Sequence, residues 1–330
     1  MATIGSPALT LLDHAKRIDP DGKIAQIAEL ISENNEILED MPFMEGNLPT
    51  GHRSTVRTGL PDVTWRQLNY GVQPTKSTTK QVDDTVGMLE AFGEVDKDLA
   101  AINANLDEFR LSEDVAKLEA MGQEIASTVF YGNTATDPEK FMGLAPRFSS
   151  LSAENGGQIL NGGSNDTDNT SIWLLAWDPN TVYGIYPKGS KAGLSSMDLG
   201  LQVLEDANGG KYMGYQSHYQ QKAGLVVKDW RYVCRIANIE VSDLLANPTS
   251  GANLINLMVQ ATHKMYKQGV GKLAFYCNRT IMSFLDQQTL NQAQMNVTYT
   301  QDPHGRRVVN FRGIPVRMCD AILNTEALVS

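Results

Sequence analysis

Apolar residues at Leu111, Val115, Leu118, Met121, Ile125 and Val129 recur at spacings of three and four, the repeat of a helix with one buried stripe. The pattern predicts a long helix with Ser112 as N-cap, Glu113 and Asp114 in its first turn and Gly132-Asn133 as its stop. Upstream, residues 1–20 read as loosely structured, and Ile24, Ile27, Leu30, Ile31, Ile37 and Leu38 predict a short amphipathic helix ending before Pro42. Downstream the period shortens. Ser171–Pro187 is β-rich and apolar with Asp178-Pro179-Asn180 as the turn of a hairpin, and a second β region, Lys211–Val241, holds a buried strand pair bending near Asp229. Between them and the helix, the Gly/Asn/Ser-rich stretch Phe148–Ser171 predicts a surface loop. The cluster Asn247-Pro248-Thr249-Ser250-Gly251 breaks the pattern and marks an internal boundary. Beyond it, Leu254, Ile255, Leu257, Met258, Ala261 and Met265 predict a helix, Lys272–Cys277 a strand and Thr280–Leu290 a helix. The runs Asn296–Thr300, Arg307–Phe311 and Ile314–Met318 predict strands that close an α+β unit.

Gly51–Gly93 does not fit this scheme. It is strand-prone, with Thr, Val, Trp and Tyr in two β-like runs around a polar middle, Tyr70–Lys80, but it has too few large apolar side chains to make a core. A lone hairpin is marginal in water, and unstructured loops within compact domains rarely exceed about 15 residues. The segment therefore reads as a long two-stranded β-arm that is either disordered or docked on another chain.

Length and charge narrow the class. A chain of 330 residues with 42% hydrophobic content buries a sizeable core, and a net charge of -10 argues against a dedicated nucleic-acid binder, so that any contact with DNA is expected to be weak and non-specific. No apolar run of about 18 residues appears, and the N-terminus lacks the pattern of an export signal, so no membrane association is expected. Cys234, Cys277 and Cys319 lie far apart in apolar strand-like runs and read as buried, reduced thiols.

Candidate chemistry is sparse. Gly269-Val270-Gly271-Lys272 has Tyr266 and Leu273 where a phosphate loop needs Gly and Ser or Thr, and it reads as a helix-to-strand turn. Asp166-x-Asp168-x-Thr170 opens like a calcium loop, yet Ser171 stands where the turn needs Gly and Trp177 where the bidentate Glu belongs, so a solvated loop is expected. The five histidines are dispersed without zinc spacing, and Ser217-His218 lacks a nucleophile elbow. No catalytic, cofactor-binding or metal-binding residue is assigned, and no cofactor is expected. Arg53, Arg57, Lys76 and Lys80 form a basic set on the arm, followed by Asp83, Asp84, Glu90, Glu94, Asp96 and Asp98 on an acidic return limb. They read either as a solvated charged hairpin or as opposite-sign surfaces that dock on neighbouring copies, with Trp65 and Tyr70 as candidate arm anchors.

EIASTVFYGNTATDPEKFMGL at Glu124–Leu144 passes from the long helix through a Gly-Asn turn to a Pro-containing loop ending in Gly-Leu; SIWLLAWDPNTVYGIYPKGSKAGL and GLVVKDWRYVCRIANI follow. In these stretches and in the order of its elements, the chain resembles major capsid proteins of tailed bacteriophages with the Hong Kong ninety-seven type fold. The resemblance implies an α+β capsid fold: an N-terminal arm over 1–50, an extended E-loop over 51–93, a peripheral domain over 94–245 with a spine helix at 107–131, and an axial domain over 246–330. It allows a rearranged topology, since the strongest β segments precede the helix-strand-helix unit. It also implies a non-enzymatic structural protein, assembled in the host bacterial cytoplasm, whose copies form hexamers and pentamers around double-stranded phage DNA. Portal, scaffolding and decoration proteins are the further partners it suggests. The Lys–Asn cross-link of the fold's type member has no identifiable pair here, with Lys76 and Lys80 leaving it open. Rival expectations are an encapsulin-like cargo shell, a tail or decoration protein, and a soluble enzyme whose site is built from loops such as Glu154–Asn169.

Overall fold

A computed structural model describes residues 33–102, 106–164, 166–206, 208–246, 251–291, 297–301 and 307–330. Of the helix expected from Ile24 to before Pro42, residues 24–32 lie outside the described residues and Ile37–Asp40 is helical; of the expected break at 247–251, only Gly251 is described. The strands of the first half are β1 (Phe43–Glu45), β2 (Gly51–Gly59), β3 (Thr78–Asp96), β4 (Ile159–Asn161), β5 (Asn169–Trp177) and β6 (Val182–Tyr186). Those of the second half are β7 (Leu194–Glu205), β8 (Lys211–Val227), β9 (Val233–Glu240), β10 (Lys272–Cys277), β11 (Val297–Gln301), β12 (Arg307–Phe311) and β13 (Ile314–Met318). By its contacts the chain forms two compact units, a smaller one of residues 88–125 and 193–222 with Glu33, and a larger one of 34–87, 126–192 and 223–330.

In the smaller unit β7 and β8 form a long antiparallel hairpin, in register from Leu194↔Gln221 to Glu205↔Lys211. Its turn is tied by Asp206, whose Oδ1 accepts the Asn208 and Gly210 amides at 2.8 and 2.7 Å. A bulge between Asp198 and Gly200 is made possible by Gly200 at φ +70°. Val95, Leu99, Ala100 and Phe109 form the small core, with Tyr215 packed on it. The long helix runs Leu106–Tyr131, six residues ahead of the expected Ser112 cap. Ser112 instead bonds back to the Phe109 carbonyl, as hydroxyls inside helices do. The helix starts early because Phe109 belongs to the buried cluster, and two expected core positions, Leu111 and Val115, are exposed.

In the larger unit every residue of β5 is buried, as a strand flanked on both edges and covered on both faces requires. It pairs antiparallel with β9 on one edge and β10 on the other, β10 continues parallel to β13, and β12 and β11 follow antiparallel. The helices Leu254–Lys264 and Arg279–Asn291 cover this sheet through Leu254, Met258, Ile281 and Leu285, with Asn253 capping the first at the Asn256 amide.

Several pairings differ from expectation. Ser171–Pro187 is not a hairpin: Asp178–Thr181 does turn, but β6 then pairs antiparallel with the end of β8 and parallel with β1. β8 and β9 are separate strands with different partners, joined by a short 3-10 turn that Asp229 caps. Phe148–Ser171 is not only surface, since Ile159 and Leu160 are buried in β4, which pairs with β9. The expected division at 245/246 does not follow the contacts either, because β5 and β9 share a sheet with β10. Strand periodicity reports which face is apolar and carries no information on which edge finds which partner.

The C-terminal segment is strapped to this sheet. Glu326 donates its amide to the Asn169 carbonyl at 2.8 Å, and the Asn238 side chain brackets Val329 through both its amide and its carbonyl at 2.9 Å. Buried Arg235 pairs with buried Glu326 at 2.9 Å and donates to the Phe148 carbonyl, while Tyr131 donates to the other Glu326 oxygen, so the buried charges are fully engaged. Near the described N-terminus, buried Asp40 meets Lys272, Tyr276 and Arg317, which fixes the segment leading to β1. Cys234, Cys277 and Cys319 are buried, the Cys319 thiol donates to the Asn35 side-chain carbonyl at 3.1 Å, and burial pushes the first two thiols up to about 12.

Candidate functional site

Within the larger unit β2 pairs antiparallel with the first part of β3, with register from Gly51↔Thr85 to Gly59↔Thr78 and a bulge near Arg57. The paired arm thus ends at Thr85 rather than at Gly93; the later residues of β3, from 88 on, belong to the smaller unit. Between the limbs, residues 60–77 form no strand. Leu60, Val63, Leu68, Tyr70 and Val72 lie open to solvent there, and Trp65 shows 104% relative exposure. Short local bonds shape the tip: the Thr75 hydroxyl donates to the Asp62 carbonyl at 2.7 Å, and Asn69 turns the chain at φ +69°. A patch of large apolar side chains on an unsupported loop is uncommon on a monomer and marks a contact surface.

The charged residues of the arm divide into two groups. Arg57, Lys76 and Lys80 are exposed, and among the described residues none of them pairs with an acid. Arg53 and Asp83, directly opposite in the ladder, form a bidentate pair at 2.6 and 2.8 Å on the half-exposed face, so they satisfy each other. The expectation of a free acidic limb is corrected at Asp84. That side chain is buried and bound by Arg147 at 2.7 Å, whose guanidinium also donates to the Met142 and Leu225 carbonyls. Strand alternation turns Asp83 outward and its neighbour inward, and the inward one locks the arm root. Burial raises the Asp84 carboxyl, with Arg147 pulling the other way. His52 stands across the ladder from Asp84, meets the Tyr183 hydroxyl at 3.2 Å, and is lowered chiefly by burial. Beside the root a cleft of about 690 Å³ is bounded by Arg57, Leu60, Lys80, Glu154, Trp230 and Arg231.

The β7–β8 hairpin is a second exposed apolar feature, one that the sequence reading passed over. Met197, Leu201, Val203 and Met213 are exposed on it, and Leu111 and Met197 line a cleft of about 220 Å³ in the smaller unit. The alternation of Met197, Leu199, Leu201 and Val203 before Asp206-x-Asn208-Gly209 was the available signal.

Other candidate chemistry falls into structural roles. Ser217 is bound by Arg110 at 3.1 Å and the His218 ring stacks on Phe92, so the two do not form a nucleophile and base. Lys272 reaches Asp40 at 2.5 Å, and Gly269 and Gly271 take positive φ in a turn between helix and strand. His14 and His304 lie outside the described residues. The carboxylates of Asp166 and Asp168 are joined by Glu240.

A family model described as Major capsid protein GP7 matches residues 19–330. A chain from the cryo-EM structure of bacteriophage Epsilon15 is 38% identical, with 100% of this chain and 99% of that one covered and a TM-score of 0.80. A chain of the bacteriophage JBD30 capsid shares the fold at 11% identity, with 89% and 92% covered and a TM-score of 0.51. No curated protein matches.

Proposed function

The chain belongs to the GP7 family of major capsid proteins, structural subunits of the icosahedral phage shell with the Hong Kong ninety-seven type fold, and from that membership we propose that its exposed β-arm is the element that ties copies together. The observation carrying this reading is the arm tip, where Leu60, Val63, Trp65, Leu68 and Tyr70 stand exposed among the described residues. Fully burying one large apolar side chain contributes about 1.5–3 kcal/mol, so one arm laid on a neighbouring copy gives a modest contact. Repeated around hexamers and pentamers, such contacts become a stable closed lattice without any single contact being strong.

Arg57, Lys76 and Lys80 give the arm a basic surface suited to an acidic neighbour of the same chain, with Trp65 and Tyr70 as its anchors. Asp84, held by Arg147, fixes the root from which the arm projects. The long helix acts as the spine of the peripheral part together with the β7–β8 hairpin, and the β9–β5–β10 sheet with its two helices forms the axial part. A net charge of -10 limits adhesion to packaged double-stranded DNA. Assembly in the host cytoplasm with portal, scaffolding and decoration proteins completes the reading. Family membership favours this phage shell over a cargo shell or a soluble enzyme. Among the described residues no helix is long and apolar enough to cross a membrane.

The test is a chain with residues 60–77 replaced by a short Gly-Ser link, and a second with Trp65→Ser and Tyr70→Ser, each co-expressed with its neighbouring genes and viewed by negative-stain electron microscopy. Native circular dichroism with loss of closed shells is the expected result. Closed shells of normal size from both variants would remove the arm from this role.

A further inference from the structure

We propose that Asp166, Asp168 and Glu240, together with the side-chain carbonyl of Asn169, form a binding site for a calcium-class divalent cation in the larger unit. The loop before β5 and the end of β9 are brought together by strand pairing: Asn169 stands opposite Glu240, and the Val241 amide donates to the Asp168 carbonyl at 3.2 Å. One carboxylate oxygen from each acid then lies within 4.8 Å of the others. Among the described residues no Lys or Arg pairs with Asp166, which is exposed, or with Asp168 and Glu240, which are half-buried. Like charges this close repel unless a cation lies among them.

Asn169 points independently to the same ligand. It is fully buried; its amide nitrogen donates to the Asp166 main-chain carbonyl at 2.5 Å, and its Oδ1 has no hydrogen-bond partner. Because it faces Glu240 in the ladder, its side chain leaves the strand pair on the Glu240 side, and the bond to Asp166 holds the amide head at the acidic loop. A buried amide oxygen without a partner, on a side chain that faces Glu240 in the ladder and is tied to Asp166, is the neutral fourth ligand this site assigns to a cation that takes oxygen donors.

The carboxylates are also held in place. Asp168 accepts the Ser242 amide at 2.8 Å, Glu240 accepts the Ser242 hydroxyl at 3.1 Å, and Asp166 accepts the Thr167 amide at 2.7 Å. Each bond uses one oxygen and leaves the other for a metal, the way outer-shell contacts orient ligands. The set holds neither His nor Cys, which disfavours zinc and other softer ions. Few protein ligands and an open rim suit calcium, whose six to eight oxygens include water, better than magnesium. Bound there, the ion would clip Asp166–Asp168 to the start of the Val241–Ala246 helix.

The experiment is metal analysis of the full chain, stripped with chelator, dialysed against CaCl2 or MgCl2 at equal concentration, and washed. About one calcium per chain is expected, with magnesium at least about tenfold weaker. Glu240→Gln and Asp166→Asn, which leave the Asp168–Ser242 contact in place, should each weaken calcium binding about tenfold or more, and calcium should raise the thermal midpoint of the wild type but not of the double variant. No calcium above background on the wild type, equal magnesium binding, or calcium retained by the double variant would each overturn the proposal. The readout is bound metal, so its failure is distinguishable from a failure of the arm to join copies.

Discussion

Trp173 and Trp65 belong to one contact unit and meet opposite fates. Trp173 is fully buried in β5, with the Phe130 and Phe148 rings at 6.2 and 6.1 Å and the Arg235 guanidinium 5.0 Å from its ring. Trp65 sits on the arm tip with its whole surface open. The sheet around Trp173 has its own strands on both edges and its own helices alongside, so the hydrophobic effect is satisfied within the subunit. The arm has only its two limbs, and a two-stranded ribbon cannot cover its own side chains. On the reading proposed above, another copy supplies the layer that covers its apolar surface. The polar groups follow the same division: Arg235 and Glu326 are buried and fully bonded, whereas Arg53 and Asp83 meet on a half-exposed face.

The contrast is sharpest in a matched pair of substitutions. Trp173→Ala should destabilise the unassembled chain by about 3–5 kcal/mol in urea unfolding, through lost burial and a cavity. Trp65→Ala should change that stability by no more than about 0.5 kcal/mol while reducing the yield of closed shells. Equal losses of stability from the two would erase the distinction between core and contact surface.

A smaller effect tests the arm root, where a buried acid joins the two regions. The raised Asp84 carboxyl makes the folded chain hold this proton to a higher pH than the unfolded chain does. The stability it contributes is therefore present below the ordinary carboxylate range and lost as pH rises through the raised value. His52, lowered by burial, adds a slope of opposite sign, so the difference between wild type and Asp84→Asn isolates the carboxyl. Urea midpoints should favour the wild type increasingly over the variant as pH falls through that window. Parallel curves would place Asp84 in contact with solvent.

The smallest expected effect is at Arg53. Its partner Asp83 is half-exposed, and solvent screens the pair, so Arg53→Ala should leave the urea midpoint of the chain unchanged within error. A clear loss of stability would mean that the arm depends on its charges more than on its root.

Much of the fold was legible because it rests on short-range pattern. The stop at Gly132-Asn133, the helices beginning at Leu254 and Arg279, and the strands Lys272–Cys277 and Ile314–Met318 follow from apolar spacing and turn residues. The arm was legible from a deficit, a β-prone stretch without enough apolar residues to close on itself. Ser112 misled because a good capping residue is also tolerated inside a helix when its hydroxyl bonds backward. Asp83 and Asp84 were indistinguishable as neighbours in an acidic run, and only the position of Arg147 decided which of them turns inward. That Glu240 joins Asp166 and Asp168 was not legible, because it comes from a strand about 70 residues further along the chain.

From its sequence alone, this protein determined most of its helices and several of its strands, that its arm lacks a core, and which family it resembles, since each depends on residues close in the chain or on their order along it. Only the tertiary structure decided that β5 lies between β9 and β10, that Asp84 is buried, and that Glu240 meets Asp166 and Asp168. The physical reason is that an apolar face states that a strand is to be covered but not by which partner, and that choice is made by packing the whole chain at once.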